Sequence, residues 1–320
     1  MQTSAGIPAA DIKDFEDFYT TKIEPVLPRL RAECRKMDIS HLLYVLAAIL
    51  GFGSFIGYYA GLFSGSTAAW LFVFFAAAVV FCVYLFSKRK DRFTADYKTA
   101  LIKEIINHIC PGLVYKPDDF IDANEYKTSR LYRRYYDYYD GDDYLEGIIN
   151  DTSFRCCELH TQYDDAGNYQ VTIFKGLFFV ANISSRFNAG TYVWPVEKVQ
   201  LSASIMDEGY RLIPMPQIAD IHIRDAEFTS YFRVCGTDPQ QATEILSNEM
   251  RAGMLWLRKK LNRPVSFSFV VGHCYIAIPV RDDLLEPSDY DPGDKEEIQK
   301  YFLTIGMISG VIKHLPLDAL

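Results

Sequence analysis

Four acids, Asp142, Asp143, Glu146 and Glu158, fall within one stretch of this chain, with Lys175 a little beyond. Two carboxylates at a suitable separation are enough for general acid–base work, so these are the first positions at which chemistry could occur. Lys175 is followed by Gly176 inside an otherwise apolar run, and a glycine there marks a bulge or a close backbone approach. Cys156, Glu158 and His160 share one face if the segment is a strand, and by type they are metal ligands. Their spacing argues against it, because the outer two stand about 13 Å apart on an extended strand. The remaining histidines, His41, His108, His222, His273 and His314, form no H-E-x-x-H pattern, and the chain has neither a nucleophile elbow nor a phosphate-binding loop. No metal and no cofactor are expected. In a chain of net charge −8, scattered carboxylates commonly form a solvated face. Catalysis is therefore the second reading and binding the first.

The elements that must position these residues are extended. From Tyr144 to Asn150, Ser153 to Tyr163 and Tyr169 to Ile183 the pattern alternates or runs apolar, with Asp164–Asn168 as a turn. This predicts an antiparallel meander. An aromatic run, Leu131 to Tyr139, precedes a turn expected at Asp140-Gly141-Asp142; its tyrosines are read as half-buried packing against the sheet rather than as a stacking surface for bases. Shorter extended pieces are expected at Thr191–Trp194, Tyr210–Ile213 and Phe228–Cys235. Asp238-Pro239 opens a helix to about Leu261, capped by the aspartate. Val265–Val271 and Cys274–Val280 pair through Gly272-His273, and a last helix spans Lys295–His314. A short helix is also expected to open at Pro117-Asp118-Asp119. Strands and helices without repeated strand–helix–strand units define an α+β domain.

Upstream the character changes. Leu42–Phe63 and Ala68–Phe86 contain no charged residue, and each approaches the roughly 20 residues needed to cross a bilayer. Ser64-Gly65-Ser66-Thr67 separates them, so the pair reads as a transmembrane hairpin. Arg29, Arg31, Arg35 and Lys36 precede it and Lys88, Arg89, Lys90 and Arg92 follow, which by the positive-inside rule puts both termini in the cytosol. Gly53, Gly57, Gly61 and Gly65 recur every four residues, a ridge for packing against the second span or for homo-oligomerisation. Gly51-Phe52-Gly53 lies in a lipid-spanning segment with no strand before it and is not a dinucleotide fingerprint. Before the spans, Ile12, Phe15, Phe18, Ile23, Leu27 and Leu30 form a helical stripe that Pro25 and Pro28 must interrupt near Glu24. After them, Phe93–Ile109 reads as an amphipathic helix stopped by Pro111-Gly112. Seven cysteines without zinc-type or C-x-x-C spacing suit reduced, buried thiols. The acidic balance makes nucleic acid an improbable partner.

Several segments resemble one family. Thr172-Ile173-Phe174-Lys175-Gly176-Leu177-Phe178-Phe179, preceded by Gly141–Gly147 and Cys157-Glu158-Leu159, is similar to the bacterial family called domain of unknown function 3137. So are Phe228–Leu246 with Asp238-Pro239, Ser266-Phe267-Ser268-Phe269 and Tyr275-Ile276-Ala277-Ile278. Ser184-Ser185-Arg186 stands where that family more often has an Asn-Lys pair. The resemblance implies a membrane-anchored domain of this extent and no particular activity. The expected organisation is an amphipathic helical segment over 1–40, a transmembrane hairpin over 41–87 and a cytosolic domain over 88–320. Its fold class is α+β, a two-helix hairpin plus a mainly antiparallel sheet with flanking helices. The expected partners are the lipid bilayer, a cytosolic protein and a second copy of the chain through the first span.

Overall fold

The computed structural model describes residues 9–62, 64–165, 167, 169–197, 213–287 and 291–320. The extended piece expected at Tyr210–Ile213 falls on residues 210–212, outside these, and so do 166 and 168 of the turn expected at Asp164–Asn168. The chain forms two compact units, one from the described residues of Met1–Ile105 with Leu285–Phe302, the other from Ile106–Leu284 with Leu303–Leu320.

The first unit is helical. Helix Ala9–Phe18 widens into a π-turn at Tyr19–Ile23 and breaks, and a long helix, Leu27–Tyr59, begins with Pro28 in its first turn. The break falls where proline must place it: Pro25 has no N–H to give a preceding turn, whereas Pro28 sits where no N–H is needed. A second long helix, Gly65–Tyr97, starts at an N-cap, the Ser64 hydroxyl accepting from the Thr67 N–H at 3.3 Å. It continues through a π-turn, Lys98–Ile102, into helix Lys103–Ile109. The amphipathic helix expected at Phe93–Ile109 is therefore not separate. It is the same rod, with its apolar stripe (Phe93, Tyr97, Leu101, Ile102, Ile105) buried.

The stripe of the N-terminal segment is covered within this unit. Phe15 and Phe18 pack on Phe302 with ring centroids 5.3 and 5.7 Å apart, and Lys295 pairs with Glu16 at 2.5 Å. Farther along, the two long helices pair through Ala47, Gly51, Ser54 and Gly57, which are buried. The Ser54 hydroxyl is satisfied inside its own helix, donating to the Gly51 carbonyl at 2.7 Å. The outward faces are apolar and uncovered: Leu42 is 66% exposed, Phe52 65%, Phe74 65% and Trp70 76%.

The second unit is built on a sheet of nine described strands. In chain order they are β1 (Val114–Lys116), β2 (Tyr138–Ile149), β3 (Thr152–Asp164), β4 (Gln170–Asn182), β5 (Thr191–Pro195), β6 (Ala219–Asp220), β7 (Phe232–Gly236), β8 (Ser266–Val270) and β9 (His273–Pro279). Their spatial order is β1-β2-β3-β4-β9-β8-β5-β7-β6, antiparallel throughout. The architecture is thus mixed helix and antiparallel sheet with two long apolar helices. Tight turns set the registers. Asn150 and Asp151 (φ 48° and 61°) join β2 to β3, and Val271 and Gly272 (φ 51° and 73°) join β8 to β9, the left-handed pairs that a two-residue hairpin requires.

Four local expectations change. Asp140-Gly141-Asp142 is not a turn but part of β2, because the chain at Tyr138–Asp142 pairs with β3 through to Gln162. Phe228–Cys235 divides into a short helix, Ala226–Tyr231, capped by Asp225, and strand β7. The short helix expected from Pro117 begins instead at Ala123, where Asp122 caps it. The Asp238 helix stops at Ile245, and a new one, Asn248–Leu261, is capped by Ser247. One sheet face covers a core of Tyr126, Tyr132, Leu159, Phe174, Phe178 and Tyr275, with the Tyr126 and Tyr132 rings stacked at 6.0 Å. The aromatic run therefore lines the sheet as expected.

A Cβ placed on Gly51 meets the Phe75 Cβ at 3.2 Å, whereas one on Gly53 meets nothing within 4 Å. Gly51→Leu is expected to wedge the two long helices apart at a cost of about 1–3 kcal/mol, and Gly53→Leu to be neutral. The thermal midpoint of the full chain in detergent micelles measures both, and equal midpoints for the two variants would contradict this packing.

Candidate functional site

Three of the four acids singled out by the sequence, Asp142, Asp143 and Glu158, meet at the β2–β3–β4 end of the sheet. Register places Asp142 opposite Glu158, and Glu158 opposite Leu177, two positions from the His160–Lys175 pair. A bulge between Asp142 and Leu145 makes the difference to the site. Asp143 occupies it with φ 57°, its N–H donating to the Pro117 carbonyl at 2.9 Å and its carboxylate accepting from the Tyr115 hydroxyl at 2.5 Å. The extra residue turns Asp143 inward, where it is 5% exposed. Glycine two residues before it is compulsory: a Cβ on Gly141 would stand 2.5 Å from the Glu158 carbonyl oxygen.

Glu158 is 6% exposed. Its Oε2 accepts from the Leu284 N–H at 3.1 Å, and its Oε1 is buried with no hydrogen-bond partner among the described residues. Burial pushes its carboxyl up to about 7, the Leu284 N–H opposes this, and the charges of Asp142, Asp283 and Asp143 add to it. Lys175 pairs with Asp283 at 2.6 Å, and that hydrogen bond holds the ammonium above its ordinary range. His160, whose Nε2 lies 3.2 Å from the Thr172 hydroxyl, is held below the usual histidine value by burial and by the Lys175 charge.

Gly176 explains how Lys175 and the Arg281–Leu284 segment come together. Its φ is +145°, and a Cβ there would lie 2.2 Å from the Ile278 carbonyl oxygen and 2.5 Å from the Val280 nitrogen. Only hydrogen fits. The close approach lets the Val280 N–H donate to the Lys175 carbonyl at 2.9 Å, and the chain then runs on to Asp283 and Leu284. Of the two expectations for this glycine, close approach is the one realised; the β3–β4 register shift lies farther along, between Thr161 and Gln162.

Glu146 is not part of this group. It accepts from the Tyr144 hydroxyl at 2.8 Å and pairs with Lys116 at 3.2 Å, and the tyrosine hydrogen bond, then the lysine, hold it below the usual carboxylate range. Cys156 is fully buried, and burial pushes its thiol far up, so it belongs to the core. Asp283 is the residue that spacing could not supply, since it lies more than a hundred positions from Glu158. Its signal was the acidic run from Asp282, which reads on its own as a solvated loop.

The four glycines divide. Gly57 is buried on the first long helix and Gly53 is exposed on it. Gly61, at φ +72°, follows the helix end, and Gly65 opens the second helix beside the Tyr58 ring. The buried seam runs 47, 51, 54, 57, the mixed three- and four-residue spacing of antiparallel helices, rather than a strict interval of four.

These features define a class: a mixed helix and antiparallel-sheet protein with two long apolar helices and a buried acidic cluster in the sheet. A family model described as "Protein of unknown function (DUF3137)" matches residues 172–317, so that stretch of the chain is similar to this family. The match contains Lys175, Gly176 and Asp283 and begins after Glu158. No curated protein matches the chain. Among solved structures, the crystal structure of the mycobacterial trehalose monomycolate transport factor A, TtfA, aligns at a TM-score of 0.31 with 9% identity, covering 64% of this chain and 89% of that one. A likeness at that level carries no argument here.

Because Glu158 holds its proton more tightly when folded (about 7, against an ordinary 4.5), its contribution to stability is complete below about pH 4.5 and is lost as pH rises through 7. Above pH 7 the buried charge costs about 3 kcal/mol. Glu158→Gln, which keeps an acceptor for the Leu284 N–H, should raise the urea midpoint at pH 8 and leave it nearly unchanged at pH 5. A shift of equal size at both values would mean that Glu158 does not titrate in this range. Gly176→Ala should destabilise the chain by at least about 2 kcal/mol at either pH, since its Cβ would meet backbone.

Proposed function

We propose that this chain is a membrane-anchored binding or scaffold protein. In this reading the two long helices cross the inner (plasma) membrane as a hairpin, both termini are cytosolic, and the sheet unit engages a cytosolic protein partner. The observation that carries the reading is the uncovered apolar surface of both helices, together with the lack of any Asp, Glu, Lys or Arg from Ile39 to Ser87. In water such a surface far exceeds what a soluble monomer exposes. In lipid it is the solvated state, and helices are suited to it because their backbone polar groups are paired internally. The basic residues before Ile39 and after Ser87 support a cytosolic position for both ends. The exposed Gly53 face leaves room for a second copy of the chain beside the first helix.

A second reading is a membrane-bound enzyme acting on a lipid or nucleotide through the Asp142, Asp143 and Glu158 carboxylates. The raised Glu158 favours it, because a carboxyl near 7 suits proton transfer at neutral pH. Against it stands access: Glu158 is 6% exposed and one of its oxygens is already held by a backbone N–H. Binding therefore ranks first.

The topology is testable with introduced thiols, since the native cysteines outside the second long helix are buried. In intact cells a membrane-impermeant maleimide should label Ser66→Cys, in the first turn of the second long helix, and should leave Asp318→Cys unlabelled until the cells are opened. Labelling of Asp318→Cys from outside would overturn the orientation. Release of the wild-type chain by alkaline carbonate would overturn the anchoring itself.

A further inference from the structure

The two long helices leave their uncharged stretch through basic side chains, Arg35 and Lys36 on the first and Lys88, Arg89, Lys90 and Arg92 on the second. Antiparallel pairing brings the two sets to one level. The Arg89 guanidinium donates to the Lys36 carbonyl at 3.0 Å and to the Ser40 hydroxyl, which ties the second helix to the first at this height. Arg89 is thereby committed to the helix pair, and Lys36 to Glu33 at 2.6 Å.

Arg35, Lys88, Lys90 and Arg92 are exposed. Among the described residues none of the four has a carboxylate partner, and Lys88 has only the Tyr84 ring, 6.0 Å from its ammonium. The acids at this level, Glu33, Asp38 and Asp91, are half as many as the six bases. The other end of the hairpin carries no Lys, Arg, Asp or Glu, so the charge is one-sided. Lys88 to Arg92 lie within about 8 Å, along the helix axis, of the last uncharged residue, Ser87. That is about one Debye length at physiological ionic strength, close enough for surface charge on a bilayer to be felt.

We propose that this collar binds the phosphate headgroups of anionic lipids, with Arg35, Lys88, Lys90 and Arg92 making the contacts and Arg89 positioning the two helices so that the contacts share one level. The proposal rests on the membrane anchoring argued above and adds to it the class of lipid that the anchor selects. The four side chains reach headgroups rather than acyl chains because their heads lie beyond the apolar stretch, and charge rather than shape does the selecting.

The test uses the full chain reconstituted into phosphatidylcholine vesicles containing a trace of spin-labelled lipid. Electron spin resonance then gives the ratio of motion-restricted phosphatidylglycerol to motion-restricted phosphatidylcholine. The wild-type chain should prefer the anionic lipid at least about threefold, and about 1 M sodium chloride, where the Debye length is near 3 Å, should abolish the preference. The combined variant Arg35→Gln, Lys88→Gln, Lys90→Gln, Arg92→Gln should show no preference, whereas Lys260→Gln with Lys313→Gln should keep the wild-type value. A wild-type ratio near one, a salt-insensitive ratio, or a preference retained by the fourfold variant would overturn the proposal. Exchanging chloride for inorganic phosphate at equal ionic strength should change nothing; selective loss in phosphate would show a site for the free anion and overturn the lipid assignment. If the fourfold variant does not reconstitute, the salt series on the wild-type chain decides. A chain that fails to float with vesicles and restricts no lipid would contradict membrane anchoring itself, which is a different failure from a ratio near one.

Discussion

The first structural unit is governed by one constraint: two long helices bury only a narrow seam against each other and leave the rest of their apolar surface without protein cover. A seam of Ala47, Gly51, Ser54 and Gly57 permits close approach, as the Gly51 contact with Phe75 shows, but it covers one stripe of each helix. The remaining side chains are apolar and uncovered, and in the proposed reading lipid covers them. Where charge returns, after Ser87 and before Ile39, protein contacts return as well. Phe15 and Phe18 find Phe302, Arg31 finds Asp291 at 3.3 Å, and Lys98, 3% exposed, finds Glu286 at 2.5 Å. Only the lysine of this pair is buried, since the Glu286 side chain is 40% exposed and partly screened by solvent. The pair fixes the register of the rod just where the π-turn Lys98–Ile102 interrupts regular helix.

The sheet follows a different logic, in which two glycines and a bulge bring charged groups into a place that apolar side chains would otherwise fill. Gly141 lets β2 lie against the Glu158 carbonyl, and Gly176 lets β4 lie against β9. The bulge turns Asp143 inward toward Tyr115. Glu158 is left in a dry site among other carboxylates, with a single backbone N–H to satisfy it. Such an arrangement reduces stability at neutral pH.

Much of the fold was legible because the patterns were long. The meander, the β8–β9 hairpin, the last helix and both apolar runs follow from periodicity and turn residues. What was misread shares a cause: local chemistry was outvoted by tertiary pairing. Asp140-Gly141-Asp142 has the composition of a turn, yet β3 offers it a partner strand, and hydrogen bonding to that strand prevails. The helix from Asp238 breaks at Leu246 because Ser247 supplies a second cap, a signal present in the sequence but weaker than the apolar run around it. Of the site, Asp142, Asp143, Glu158 and Lys175 were identifiable from neighbouring strands. Asp283 was not, since its place depends on the path of the chain after β9, and Glu146 was grouped with the others because spacing alone does not reveal a bulge that changes which face a residue takes.

In the proposed reading bilayer lipid covers the two apolar helices, and Trp70 reports on this most directly. It is 76% exposed and stands five residues inside the second helix, about 8 Å from its start. With Trp194 and Trp256 replaced by Phe, its emission can be recorded in vesicles whose lipids carry bromine at different depths along the acyl chain. Strong quenching is expected, greater for bromines near the headgroup end than for those near the bilayer centre. Emission at the wavelength of water-exposed indole, unquenched by bromine at any depth, would contradict it.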